Sequence, residues 1–139
     1  MISLAGCDYP DIQKPALSGC WDESNLAVVK NISQEIIQEQ LVDTGFPKEE
    51  LSSVNIGITL TNVYAINKNI YAKSLQCGAS EAVNIVGKNP SKSVYIEPFN
   101  MNFDLYFGTK EGVVSTVEKA PLILSLNKAF QKKLEDDAK

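Results

Sequence analysis

The sequence lacks two residue types on which many enzymes depend at neutral pH. None of its 139 residues is histidine, and all 13 of its basic side chains are lysines. Without histidine there is no imidazole base, no Ser-His or Cys-His nucleophile pair and no imidazole metal ligand. Without arginine there is no planar, bidentate clamp for phosphate or carboxylate. Most hydrolase and transferase designs are excluded, and we expect a protein without enzymatic activity, metal or cofactor.

Long apolar runs and concentrated positive charge are also missing. No run approaches the roughly 18 to 20 apolar residues that a membrane-spanning helix requires. The net charge is -4, and the 17 acidic residues are spread along the chain. Because phosphate binding needs a concentrated basic face, nucleic acid is not expected as a partner. Abundant lysine, asparagine and isoleucine indicate the coding bias of an AT-rich genome.

Two familiar catalytic motifs are absent as well. The sequence contains no Gly-x-Ser-x-Gly elbow and no Walker phosphate loop. Glu97 and Asp104 are the strongest candidates for a carboxylate pair of the kind used in sugar chemistry. Their spacing gives no reason for the two groups to converge, and we interpret both as solvated surface residues.

Cysteine is scarce, and the first of the three cysteines lies in a lipobox-like segment. In Leu4-Ala5-Gly6-Cys7 an aliphatic residue and two small residues precede the cysteine, whose thiol would take a diacylglycerol carrying fatty acids such as palmitate. Only six residues precede Cys7, which is too few for a signal peptide. Either the sequence starts at an internal methionine or the match arises by chance. Asp8 resembles the inner-membrane retention signal of enterobacterial lipoproteins.

The other two cysteines can pair with each other, because an even number remains once Cys7 is lipidated. Lipidation of Cys7 leaves Cys20, just before a predicted helix, and Cys77, in a predicted strand. We predict a disulfide between them, which would stabilise the fold by about 4 kcal/mol by closing a long loop. The alternative is a pair of reduced cytosolic cysteines, with Cys77 as a core residue.

The chain is predicted to consist of a tether and one domain. Residues 1–19 read as a lipobox remnant followed by a polar, proline-containing tether, and residues 20–139 as a single α+β domain. Asp22 or Ser24 can cap a first helix, and Gly45 with Pro47 can end it. Apolar residues recur in this helix at spacings of three and four, at Leu26, Val29, Ile32, Ile36 and Ile37.

Strands are predicted from alternating apolar and polar residues. The first runs from Val54 towards Ile66, Asn67-Lys68-Asn69 forms a turn, and a second strand over residues 70–79 carries Cys77. A third strand begins at Val94, and Pro98 must interrupt it or place it at a sheet edge.

The strongest hairpin follows, and a helix ends the chain. Every second residue is apolar in the row Phe99, Met101, Phe103, Leu105 and Phe107, and residues 108–112 turn into a strand over residues 113–117. Pro121 can open a last helix with Leu122, Leu126 and Leu134 on one stripe. The fold class is therefore α+β, with an N-terminal helix on an antiparallel four- to five-stranded sheet and a C-terminal helix, similar to a cystatin-like meander.

Residues 20–117 carry a resemblance to a known group. Its features are a cysteine with an acidic helix start, an amphipathic helix, a hairpin containing Tyr71 and Cys77-Gly78-Ala79, and a strand pair led by Val94-Tyr95. The chain resembles a broad group of small bacterial lipoproteins of obscure function. The resemblance implies a bacterial envelope location, on the periplasmic side of a membrane, and an α+β fold, and Asp8 favours the inner membrane.

Three surfaces are candidate binding sites. Trp21, the only tryptophan, would either cover the disulfide or anchor a partner. Five polar residues are predicted to share one sheet face and to form a docking surface, namely Asn55, Thr59, Asn100, Asn102 and Tyr106. The row of Phe99, Phe103 and Phe107 is a core face or the lining of an apolar cup.

Three hypotheses follow for function. The first is a membrane-tethered module that binds an envelope protein without turning over a substrate. The second is an inhibitor or immunity protein directed against an exported toxin or hydrolase. The third is a carrier of an apolar small ligand in the aromatic cup.

Overall fold

The predicted α+β arrangement is confirmed. The computed structural model describes residues 17–44, 48–87, 93–110 and 112–137. The chain forms a 3₁₀-helix (Leu17–Trp21), helix α1 (Glu23–Asp43), short helix α2 (Lys48–Leu51), strands β1 (Asn55–Asn69), β2 (Ser74–Val86), β3 (Val94–Thr109) and β4 (Gly112–Val117), and helix α3 (Lys119–Asp137). The four strands form one antiparallel meander in the order β1-β2-β3-β4.

The first helix begins where an acidic cap was predicted. Asp22 is the N-cap, and its carboxylate accepts hydrogen bonds from the backbone N–H groups of Ser24 at 3.0 Å and Asn25 at 3.2 Å. These bonds satisfy donors that have no partner inside the helix. The Ser24 hydroxyl also donates to the carboxylate, and this bond, together with the backbone bonds, lowers the pKa of Asp22. The last three residues of the predicted tether, 17–19, are part of the 3₁₀-helix.

The turn between the first two strands was predicted too early. Asn67-Lys68-Asn69 belongs to β1, where each residue pairs with β2, and residues 70–73 form the turn. The Asn69 side chain accepts a hydrogen bond from Ala72 N at 3.0 Å, so a single asparagine suffices for the turn. The strand bounds change accordingly, and β2 starts at Ser74 rather than at residue 70 and continues to Val86.

Pro98 does not end a strand, because it lies in a bulge. Glu81 pairs with Phe99 and Val83 with Ile96, so that Glu97 and Pro98 together oppose one residue of β2. A bulge accommodates a residue that cannot donate to the ladder. The strand predicted over residues 94–97 and the strand of the aromatic row are therefore one strand, β3.

The helices pack on one face of the sheet, called the inner face here. The core on this face has two clusters of buried side chains. One lies under the second half of α1 and includes Leu122 and Leu126 of α3, and the other lies under Val29 of α1. Leu134, predicted on the same stripe of α3, is 71% exposed. The opposite face of the sheet is not covered by any described element.

Candidate functional site

The two cysteines predicted to pair lie together in the core. The Sγ atoms of Cys20 and Cys77 are 2.09 Å apart and their Cα atoms 5.7 Å apart, at disulfide distance. Both residues are fully buried. The pair ties the 3₁₀-helix to the inner face of β2, as a helix-to-sheet bond was expected to do. Cys7, the predicted lipidation site, lies outside the described residues.

Trp21 contacts the sheet beside a second bulge. Thr61 pairs with Ser80 and Tyr64 with Gly78, so Asn62 and Val63 together oppose one residue of β2. The indole Nε1 of Trp21 donates a hydrogen bond to the Val63 carbonyl at 2.9 Å. A bulge disrupts the ladder, and the tryptophan supplies a donor there. Trp21 is still 49% exposed.

The five polar residues predicted to share a face do so. Asn55, Thr59, Asn100, Asn102 and Tyr106 all lie on the side of the sheet opposite the helices, which we call the outer face. The structure places Trp21 elsewhere, since the 3₁₀-helix that carries it is tied to the inner face by Cys20. Trp21 and the five polar residues therefore belong to separate surfaces.

A tyrosine that the sequence reasoning did not single out lies at the centre of the outer face. Tyr64 pairs with Gly78, and Gly78 pairs in turn with Asn102. A Cβ atom on Gly78 would be only 2.4 Å from Cζ of Tyr64, so the ring covers the glycine across the strand. Tyr64 remains 43% exposed. The signal in the sequence was a glycine inside a strand, which often marks a close approach by another group.

The middle of the outer face is polar but mostly uncharged. One rung across three strands consists of Thr61, Ser80 and Asn100. Amide and hydroxyl groups of this kind can both donate and accept hydrogen bonds. With the Tyr64 ring beside them, they form a surface that offers aromatic contact area and hydrogen bonds to a partner.

Negative charge lies at one side of the outer face. Asn102 Nδ2 donates a hydrogen bond to Glu118 Oε2 at 3.3 Å. Partial burial raises the pKa of Asp104, and the nearby Glu118 carboxylate raises it further. Asp104 is thus associated with Glu118 rather than with Glu97, which is exposed seven residues earlier in the same strand. The two carboxylates considered as an acid-base pair do not meet at a site.

The aromatic row of β3 is mainly part of the core. Phe103 is 1% exposed, and Phe99 and Phe107 are partly buried against the two core clusters. Of the three rings, only Phe99 lines the cleft described below. The interpretation as a core face agrees with this packing.

The most unusual buried group is Glu81, which the sequence reasoning missed. The residue is 0% exposed, and neither of its carboxylate oxygens makes a hydrogen bond among the described residues. Burial raises the pKa of Glu81 to about 7, and the neighbouring Ser33 hydroxyl partly opposes this rise without forming a well-oriented hydrogen bond. The sequence did carry a signal for this burial. Glu81 continues the every-second-residue series of Cys77, Ala79, Val83 and Ile85, which all lie on the buried face of β2.

A cleft of about 540 Å³ lies between the first half of β3 and the second half of α3. The strand contributes residues 93–99, including Tyr95 and Phe99. The helix contributes Lys128, Lys132 and Lys133 among others. We call this surface the edge cleft. It lies at the sheet edge, apart from the centre of the outer face.

Two types of site were sought within the described ranges and not found there. No group of three or more cysteine, aspartate or glutamate side chains is arranged to hold a metal ion among the described residues. No helix in the described part of the chain is long and apolar enough to cross a membrane.

No family model matches the sequence, and neither a curated protein nor a solved structure is significantly similar to it. The resemblance to small lipoproteins stays a prediction, and the fold and surfaces of the chain itself carry the functional argument.

Proposed function

We propose that the protein is a non-enzymatic lipoprotein of the bacterial envelope, which is anchored through Cys7 and binds a protein partner through its outer face. The single observation that carries the binding role is the one-sided fold. Both long helices and the disulfide lie on the inner face, while the outer face has no described element above it. One face thus stabilises the domain, and the other is available to a partner.

The chemistry of the outer face supports a protein partner. Tyr64, Tyr95 and Tyr106 are each between 37% and 57% exposed, and tyrosine is enriched at protein interfaces because it combines a large apolar ring with a hydroxyl group. The asparagine and threonine side chains around them can adapt their hydrogen bonds to a partner. Few charges would have to be desolvated at the centre of this face.

The disulfide supports an exported location. Disulfides persist in oxidising compartments and are rare in the cytosol of mesophiles. A domain held on the periplasmic side of a membrane needs an anchor, and lipidation of Cys7 would supply it. The inner membrane is favoured by Asp8.

Site-specific photo-crosslinking in cells tests the binding role. A photo-reactive amino acid is placed at Thr59, Asn100 or Tyr106 on the outer face, and at the exposed Gln38 or Glu39 of α1 as matched controls. We expect the same adduct from all three outer-face positions and none from α1. Adducts that form equally from both faces, or from neither, would contradict the proposal. An adduct with a secreted hydrolase or toxin would favour the inhibitor or immunity role.

The anchor is tested separately by intact-mass analysis of the membrane fraction. We expect a diacylglycerol-modified Cys7 and a membrane-bound protein, and release of the domain in Cys7→Ser. Modification at no cysteine, with the protein recovered unbound, would contradict the anchor without affecting the binding test.

A further inference from the structure

Among the described residues, the first half of strand β3 has an open edge. Strand β4 pairs with β3 only from Phe103 to Thr109. The last contact on that side is a hydrogen bond from Glu118 N to the Asn102 carbonyl at 3.1 Å. Among the described residues, no strand pairs with β3 from Val94 to Phe99 on this side. Since backbone groups of a strand alternate in direction, Asn100 presents its N–H and carbonyl to the same side as Asn102.

Helix α3 runs beside this open edge and turns a basic stripe towards it. Ser125, Lys128, Ala129, Lys132 and Asp136 line the edge cleft together with residues 93–99. Their spacing of three and four residues places them on one side of the helix. None of Lys128, Lys132 and Lys133 forms an ion pair within the described ranges. Among the described residues, unpaired backbone groups of β3 and three ammonium groups therefore meet in one cleft, where they outnumber the carboxylates of Glu97 and Asp136.

We infer that the edge cleft binds an extended acidic peptide segment of a partner protein, which adds to β3 as a strand beneath the lysines of α3. The side chains of an added strand alternate between the two faces of the sheet. Those on the inner face would lie against Lys128 and Lys132, where carboxylates find complementary charge. The backbone of the peptide would supply affinity, and every second side chain would supply specificity.

Features of the same edge oppose pairing with a second copy of this chain. Pro98 removes one backbone donor, and the bulge at Glu97 and Pro98 distorts the edge. Pairing of two β3 edges would also bring together two clefts that each hold three lysines against two carboxylates, so their net positive charges repel. An acidic segment avoids this repulsion and needs only the donors on either side of Pro98. The inference concerns the edge of β3, which shares Tyr95 with the outer face, and it stands independently of the function proposed above.

Peptide binding tests the inference on the whole protein. The probe is a labelled peptide of about eight residues in which Glu and Thr alternate, a usual strand length, and its affinity is measured by fluorescence anisotropy. Two control peptides isolate the two contributions. One replaces each Glu by Gln, and the other is N-methylated at alternate residues so that it cannot pair with β3. We expect each change to weaken binding about tenfold or more.

Protein variants locate the site. K128E/K132E should weaken binding of the acidic peptide about tenfold or more. The matched control is K73E/K110E, which changes the net charge equally but at the turns near the other end of β3. It should alter the affinity by a factor of about two at most. Circular dichroism confirms folding of both variants, and binding should protect the Asn100 amide from hydrogen exchange.

Several results would overturn the inference. Equal affinity for the Glu and Gln peptides would show that the acidic side chains are not recognised. Equal affinity for the N-methylated peptide would show that the peptide does not add to β3 as a strand. Equal weakening in both protein variants would indicate that binding depends on the overall charge of the protein and not on the lysines of the edge cleft. Binding to vesicles of anionic phospholipid that is lost in K128E/K132E, without peptide binding, would assign the lysines to a membrane surface instead.

Discussion

The carboxyl group of Glu81 on β2 and the hydroxyl group of Ser33 on α1 face each other inside the core. Glu81 follows Ala79 of one apolar cluster and precedes Val83 of the other. Ser33 occupies the corresponding place on α1, between Val29 and Ile36. This polar pair thus separates the two halves of the core. Buried acids without a partner usually remain protonated, because ionisation in an apolar interior is costly.

The buried acid predicts an unusual dependence of stability on pH. The pKa of Glu81 rises from 4.5 to about 7 on folding, so the folded state favours the protonated form. This contribution to stability is complete below pH 4.5, and it is lost as the pH rises through about 7. The shift corresponds to about 3 kcal/mol. Urea unfolding at several pH values should show this loss.

Glu81→Gln isolates the effect, because the amide cannot ionise. Its free energy of unfolding should no longer fall between pH 4.5 and 7, and at pH 8 it should exceed that of the unaltered protein. Glu39→Gln, at an exposed position on α1, is the matched control and should keep the fall. The same slope in all three proteins would show that Glu81 ionises without cost.

Reduction of the Cys20–Cys77 pair should weaken the fold. The two residues are 57 positions apart in the chain, and the chain-entropy model gives about 4 kcal/mol for a loop of this length. Cys20→Ser/Cys77→Ser should therefore lower the midpoint of denaturant unfolding. Cys7→Ser should leave the midpoint unchanged. Equal stability of oxidised and reduced protein would contradict the prediction.

Gly78→Ala should destabilise the protein through its contact with Tyr64. The new Cβ would be 2.4 Å from the ring, which must then move, at a cost on the order of 1 to 3 kcal/mol. The same substitution should cost far less in a Tyr64→Ala background, where the ring is absent. Thermal unfolding of the four proteins gives this double-mutant cycle. Additive effects of the two substitutions would mean that the residues do not interact.

Asp22→Ala should remove the cap of α1 and cost about 1 kcal/mol. Asp22→Asn keeps an acceptor for the N–H groups of Ser24 and Asn25 and should retain most of the stability. Denaturant unfolding at neutral pH measures both variants. Equal losses in the two would indicate that the negative charge, rather than the hydrogen bonds, stabilises the helix start.

Elements with a clear local pattern could be predicted from the sequence. The alternation from Phe99 to Phe107, followed by a glycine-rich turn, identified the last hairpin, and Gly108 and Gly112 both have positive φ there. The acidic cap identified the start of α1. Each of these signals depends on residues that are close in the chain.

Misplaced elements have a different cause. The turn before β2 was expected at Asn67, but pairing with β2 continues to Asn69, because additional ladder bonds satisfy more backbone groups. Pro98 was expected to interrupt its strand or to place it at a sheet edge; it lies in a bulge on the edge of β3 that no described strand pairs with, and β3 passes through it. In both cases, a partner strand distant in sequence decided the outcome.

The residues of the candidate site were likewise predicted where the signal is local and missed where it depends on distant segments. Period-two alternation was sufficient to place five polar residues on one face. Trp21 could not be excluded from that face, since only the bond from Cys20 to the inner face locates it. Tyr64 and Glu81 were missed because what distinguishes them is their contact with Gly78 and Ser33, which lie in other elements.

The sequence by itself determined the order of a helix, a run of antiparallel strands and a closing helix, the helix cap and most of the residues that face the core, because helix and strand periodicities and capping act over a few residues. The pairing of Cys20 with Cys77 was inferred from parity and position. Within the described part of the chain, only the tertiary structure decided that an acid is buried without a hydrogen-bonding partner, that a ring covers a glycine and that half of β3 has an open edge. The physical reason is that these features arise where distant segments meet. The six residues of β4 cannot cover the sixteen of β3, and the edge that they leave open is a property of the assembled sheet.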